Sequence, residues 1–252
     1  MSVKTRLAEL NARFAEKLTA KGVEASADET YTALVNKMDD IPQGETVDGA
    51  VIPKEYFGNF DTSGSCKHYP TITSENLDGV VTIRDNAFGG WYLESIEMPS
   101  SVQRIGTASF SGCTVRQPLV IPDTVTFIGV QVFQGSKIEH ITVGKGITNL
   151  SAESFFNCGC ITLACKGDLI SASSNCFGSS TKLANFSVEG KIYCAVSFAS
   201  CPLTLESAQN IIDALVDNTG NDAMTIAFSA TTKALLTEEM IAQATNKNWT
   251  IA

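Results

Sequence analysis

Apolar and polar positions repeat along this chain with an almost constant period between Ile83 and Cys201. Aligned on Phe88, Phe110, Phe133, Phe155, Phe177 and Phe198, the steps are 22, 23, 22, 22 and 21 residues. Five residues before each ring stands Ile83, Ile105, Ile128, Leu150, Ala172 or Tyr193, a column read as inward-facing. Two residues after it stands Gly90, Gly112, Gly135, Asn157, Ser179 or Ser200, residues that tolerate or cap the backbone of a tight bend. Eight or nine residues after the ring, apolar residues alternate: Ile96 and Met98, Leu119 and Ile121, Ile141 and Val143, Leu163 and Cys165, Phe186 and Val188. That period of two predicts a strand with one buried face. A turn former follows (Pro99, Pro122, Gly144, Gly167, Gly190), and then one more apolar residue, from Val102 to Ile192.

Each unit is thus a short strand, a turn, an apolar return segment and an aromatic plug. A constant period in the twenties marks a solenoid, because each unit buries its apolar face only against its neighbours. The strands are expected to lie parallel, about 4.8 Å apart, with the phenylalanines stacked opposite them as a buried spine.

The two ends read differently. Leu7, Leu10, Phe14 and Leu18 fall on one helical face, which Gly22 ends. A second helix starts at Ser26, with Glu29 completing a capping box, and buries Tyr31, Leu34, Val35 and Met38 before Ile41-Pro42. Two helices this short cannot form a core alone, and the connector-like 43–50 favours their docking on other chains over the solenoid. Tyr56, Phe57 and Phe60 suggest an N-terminal cap. Beyond the repeats, Leu205, Ala208, Ile211, Ile212 and Leu215 form a helical face. Met224, Ile226 and Phe228 alternate as a strand, Thr237-Glu238-Glu239 open an acid-led helix, and Trp249–Ile251 end the chain as a strand. The expected organisation is a helical attachment segment (1–42), a connector and cap (43–79), the repeats (80–202) and a terminal capping repeat (203–252).

Ile83-x-x-x-Ala87-Phe88-x-Gly90, followed by Leu93-x-x-Ile96-x-Met98-Pro99-x-Ser101-Val102, resembles the BspA-like leucine-rich repeat family of the Treponema type. Ile105 to Cys113 and Leu119 to Val125 match it again; the likeness is strong over 80–150 and fades through 170–201. It implies a curved leucine-rich-repeat solenoid; with the two ends as read above, the expected fold is an α/β repeat, a solenoid with a parallel strand ladder, an N-terminal helical pair and a C-terminal α/β cap. The resemblance also implies surface adhesion and partner recognition, with no catalytic residue to carry across. The segments from Leu203 to Leu215 and from Leu236 to Trp249 resemble the C-terminal ends of leucine-rich-repeat proteins of phages and prophages of gut bacteria. The leading helix pair is similar to that of phage tail and fibre-associated proteins.

These likenesses imply a tail-associated virion protein, made in the host cytoplasm, that displays the solenoid for host recognition. Its partners would be other virion proteins through the N-terminal helices and a host-surface protein or glycan, in a homo-oligomeric or multicopy arrangement. The alternatives are a decoration or cementing protein of the virion and a bacterial cell-surface adhesin.

A formal charge of −9 with a pI near 4.7 argues against nucleic acid as a partner. No apolar segment of signal-peptide length opens the chain and no 18-residue apolar run occurs, so neither general secretion nor membrane insertion is expected. Of the 8 cysteines, Cys113, Cys158 and Cys201 share a repeat column with Ser136 and Ser180, and Cys160, Cys165 and Cys176 take other inward positions. Packing as free thiols accounts for these six; Cys66 and Cys194 fit no column. No histidine joins Cys158, Cys160 and Cys165, so no metal site is expected. Cys66 with His68 lacks an orienting third group, and Gly144-Lys145-Gly146 lacks phosphate-loop spacing. Neither catalysis nor a cofactor is indicated. Asn149, Asn185 and Asn248 open glycosylation triplets but lie in repeat or cap columns. Trp91 and Tyr92, at the first repeat's corner, read as a cap or a lateral contact patch. The candidate binding residues are the outward strand positions Glu97, His140, Thr142, Thr162 and Ser187.

Overall fold

In the computed structural model, the described residues are 12, 15, 16, 18, 19, 24–26, 71–173 and 175–252. They fall into two units, one within Met1–Ala50 and one within Val51–Ala252. In the first, residues 12, 15, 16, 18 and 19 are helical, and Ala15 and Leu18 are buried. The remaining helix-face residues (Leu7, Leu10, Phe14, Tyr31, Leu34, Val35, Met38), the connector, and Tyr56, Phe57, Phe60, Cys66 and His68 lie outside the described residues.

The second unit is a parallel coil. Its main ladder joins Leu119–Ile121, His140–Val143, Thr162–Cys165 and Asn185–Val188, all parallel and in register: Leu119, Ile141, Leu163 and Phe186 form one inward column, and Ile121, Val143, Cys165 and Val188 the next. The return segments are themselves strands. Thr82–Ile83, Arg104–Ile105 and Phe127–Ile128 pair in parallel, as do Asn149–Leu150 with Ser171–Ala172. A third short ladder joins Tyr92–Leu93, Thr114–Val115 and Lys137–Ile138 just before the main strands. Pieces two residues long offer no alternation to read, so the sequence pattern reveals only their inward member.

The aromatic spine stands as expected and runs one ring further. Successive centroids from Phe88 to Phe198 lie 5.1, 5.5, 5.2, 5.6 and 4.8 Å apart, with planes tilted by no more than 26°. Phe228 of the cap continues the stack at 6.4 Å. Offset stacking of this kind adds about 0.5–1.5 kcal/mol per pair beyond burial. Each of the first four rings is bracketed by two bends. Gly90, Gly112, Gly135, Asn157 and Ser179 have φ between +49° and +72°, as their column requires, whereas Ser200 in the last coil does not join them. Two residues before the ring, Asn86, Ala108, Gln131 and Glu153 are also left-handed, at φ +52° to +57°. No glycine marks that second bend, so the sequence conceals it.

One column needs correction. Tyr193 is 49% exposed rather than inward. The last step is only 21 residues, so the inward place passes to Cys194, whose side chain packs against the core. That accounts for a cysteine with no evident column in the sequence. The other cysteines among the described residues are buried free thiols, apart from this half-buried one. Burial holds Cys113, Cys165, Cys176 and Cys201 up at about 12, and Cys160 is raised by its hydrogen bond with Cys158 and then by burial.

The cap closes both walls of the coil. Val196–Phe198, Met224–Phe228 and Trp249–Ile251 form a parallel sheet. The helix Leu205–Ala214, N-capped by the Thr204 hydroxyl, lies where a fifth strand of the main ladder would fall. The Phe186 N–H donates to Ser207 Oγ at 3.0 Å and the Val188 N–H to Asn210 Oδ1 at 2.9 Å. Helical side chains thus take the hydrogen bonds of a missing strand.

Candidate functional site

The pleat sends alternate residues of the main ladder outward, and register aligns them into two columns. His140, Thr162 and Asn185 stand side by side in one; Val120, Thr142, Ala164 and Ser187 form the other. His140 and Asn185 are exposed, and Thr142, Thr162 and Ser187 are half-buried against their neighbours. Of the five expected binding residues, the ladder brings these four together: His140, Thr142, Thr162 and Ser187.

Glu97 does not join them. The preceding strand, Ser95–Ile96, pairs with Thr71–Ile72, and the Glu97 N–H donates to the Ile72 carbonyl at 2.8 Å. Pro118 lies directly opposite His140 in the register and has no N–H to give a neighbour. The extra residue of the 23-residue step falls in this coil, and the sheet breaks here. Glu97 is exposed, but on a separate strand pair.

The resulting face carries mostly short side chains, with Val120 as its one large apolar group, 52% exposed. Backbone hydrogen bonds hold it, so its side chains are fixed in spacing although none is long. Across the post-strand turn, charges alternate along the coil. The Lys145 N–H donates to Asp123 Oδ1 at 3.0 Å and the Lys191 N–H to Asp168 Oδ1 at 2.8 Å. Nothing in this arrangement pairs a nucleophile with a base. Among the described residues no cluster of histidine, cysteine or carboxylate side chains could hold a metal ion, and no helix is long and apolar enough to cross a membrane.

Trp91 is half-buried, edge-on to Phe88 at 5.5 Å, and closes that end of the spine; Tyr92 beside it is 42% exposed.

A second feature escapes the sequence reading. On the return-strand ladder, Thr82, Arg104 and Phe127 form one outward column, and the Arg104 guanidinium lies 4.1 Å from the Phe127 ring centroid. With Arg84, Asp85 and Thr107 they line a shallow hollow of about 590 Å³. The available signal was Phe127 itself, an aromatic residue at an outward position immediately before an inward isoleucine.

Parallel strands, turns and an aromatic spine repeated at this period define a leucine-rich-repeat solenoid. Within it, residues 115–213 match the model described as BspA type leucine rich repeat region, in 6 copies, and that region is a BspA-type leucine-rich repeat region. The match covers 170–201, where the sequence likeness fades, and stops short of 80–114, where it is strong. No curated protein matches the chain, and no solved structure does. Repeats of this type are interaction modules, so the coil is a recognition or surface-interaction scaffold.

Proposed function

We propose that this is a non-enzymatic recognition protein whose main ladder receives a partner surface. The observation that carries the reading is the in-register outward grid of His140, Thr162 and Asn185 beside Val120, Thr142, Ala164 and Ser187. The grid presents short side chains on a rigid backbone, so a partner can approach closely and little side-chain entropy is lost on contact. Individual contacts of this sort are weak, and display in many copies supplies avidity.

The likeness of both chain ends to phage-encoded proteins supports placing it on a virion tail. There the N-terminal helices join other virion proteins and the ladder faces a host-surface protein or glycan. The test is the full chain carrying His140→Ala, Thr142→Glu and Ser187→Glu together, applied to envelope extracts of candidate host cells. Binding should fall at least about tenfold with the melting temperature changed by no more than about 2 °C. Undiminished binding by a folded variant ends the assignment of this face.

A further inference from the structure

We propose that the hollow between the first return strands is a binding site for an acidic sugar, a ring carrying both a carboxylate and free hydroxyl groups. Arg84 and Arg104 come from consecutive turns of the coil, whose strands lie about 4.8 Å apart. Both guanidinium groups therefore reach one opening. Among the described residues neither takes part in an ion pair. Arg104 is already stacked on Phe127 at 4.1 Å, so it surrenders little freedom when its planar fork meets a carboxylate. In a chain of formal charge −9, two arginines against one aspartate make the hollow a local cationic spot.

Asp85 narrows the choice of anion. Its Oδ1 accepts the Thr107 N–H at 2.8 Å, while its other oxygen takes no hydrogen bond from the described residues. A bare anion gains the arginines but is repelled by this carboxylate. A hydroxyl-bearing ring uses both, because its carboxylate meets Arg84 and Arg104 while a ring hydroxyl donates to Asp85. Thr82 and Thr107 add further hydroxyl partners on the wall. The hollow is large enough for one or two sugar rings. It offers no deep apolar slot of the kind an anchoring peptide side chain fills. Gly106 forms part of the lining because a Cβ there would stand 2.4 Å from Asp85 Oδ1, so the carboxylate and the opening are fixed by the same close approach. This site does not depend on the main ladder, which lies on a different wall of the coil.

The experiment is titration of the isotope-labelled full chain with sodium glucuronate, followed by amide and arginine side-chain NMR. Glucose, sodium acetate and a penta-aspartate peptide serve as the other arms. Glucuronate should shift the Arg104 side chain and the Thr82 and Thr107 amides saturably, with the other three at least about tenfold weaker. Arg84→Gln and Arg104→Gln should each weaken glucuronate by about tenfold while leaving the fold's spectrum intact. Asp85→Asn should weaken glucuronate but strengthen acetate. His140→Ala on the main ladder should change nothing. The proposal is overturned if no resonance saturates, if acetate or the peptide equals glucuronate, if either arginine variant binds as the parent does, or if Asp85→Asn strengthens both ligands.

Discussion

If the spine couples only nearest neighbours, as a stacked coil requires, paired truncations of its rings should reveal it. Phe133 is fully buried and stacks on Phe110 at 5.5 Å and on Phe155 at 5.2 Å. Phe133→Ala should cost about 3–5 kcal/mol for the lost burial and the cavity left behind, and Phe155→Ala about the same. Together the two single variants count the shared 133–155 stack twice, whereas the double variant loses it once. The double variant should therefore be less destabilised than the sum by about 0.5–1.5 kcal/mol, the worth of one ring pair. Phe110 and Phe177 stand three ring steps apart and share no stack, so their truncations should add within about 0.5 kcal/mol. Urea unfolding read by far-UV circular dichroism and by fluorescence of the buried Trp249 gives both cycles, provided the two probes coincide. The reasoning fails if the distant pair couples as strongly as the adjacent one, or if the adjacent pair is simply additive.

Three further outcomes follow from other contacts. Gly144→Ala should destabilise by about 2–4 kcal/mol in the same assay, because its Cβ would stand 2.4 Å from the Pro122 carbonyl oxygen of the coil before it, where the backbone cannot yield. Ser207→Ala should cost about 1–3 kcal/mol by stranding the Phe186 N–H, and hydrogen exchange at that amide should accelerate far more than at Phe133. The four thiols held at about 12 keep their protons in the folded state and lose them near 9 when unfolded. Their contribution is therefore whole below pH 9 and lost as pH rises towards 12. At pH 10, Cys165→Ala should remove about 1.4 kcal/mol of the alkaline loss seen in the parent, and an equal loss in both proteins would count against this.

What the sequence made legible, and what it hid, follows from which residues pack side chains and which only shape backbone. The spine and the main ladder were readable because Phe133, Ile141 and Val143 bury at fixed intervals, and burial selects residue type strongly. The bend two residues before each of the first four rings was not, since Asn86, Ala108, Gln131 and Glu153 share nothing but a positive φ. Neighbouring coils impose that conformation at about 1–2 kcal/mol per residue. Tyr193 was misplaced because one residue missing from a step rotates every later position, a shift that periodicity registers only afterwards. Glu97 was misplaced for the opposite reason: Pro118 and one added residue break the ladder without disturbing its apolar alternation. The arginine hollow was invisible because Arg84, Arg104 and Thr107 occupy three different repeat columns that meet only when coils stack.

How the coil ends bears on how its face works. A parallel ladder left open would offer the unpaired N–H groups of Asn185–Val188 to any extended chain, including another copy. The helix Leu205–Ala214 removes that option by filling the next strand position, and its Ser207 and Asn210 side chains satisfy the N–H groups of Phe186 and Val188. The main ladder at this end is then approachable through its outward side chains rather than by strand addition. On the proposed reading, recognition there would rest on His140, Thr142, Thr162 and Ser187, whose chemistry is specific, instead of on backbone pairing, which is not. A partner that bound by adding a strand would need the helix displaced. Its binding would strengthen when Ser207→Ala weakens the cap, whereas binding to the outward face would stay as it was.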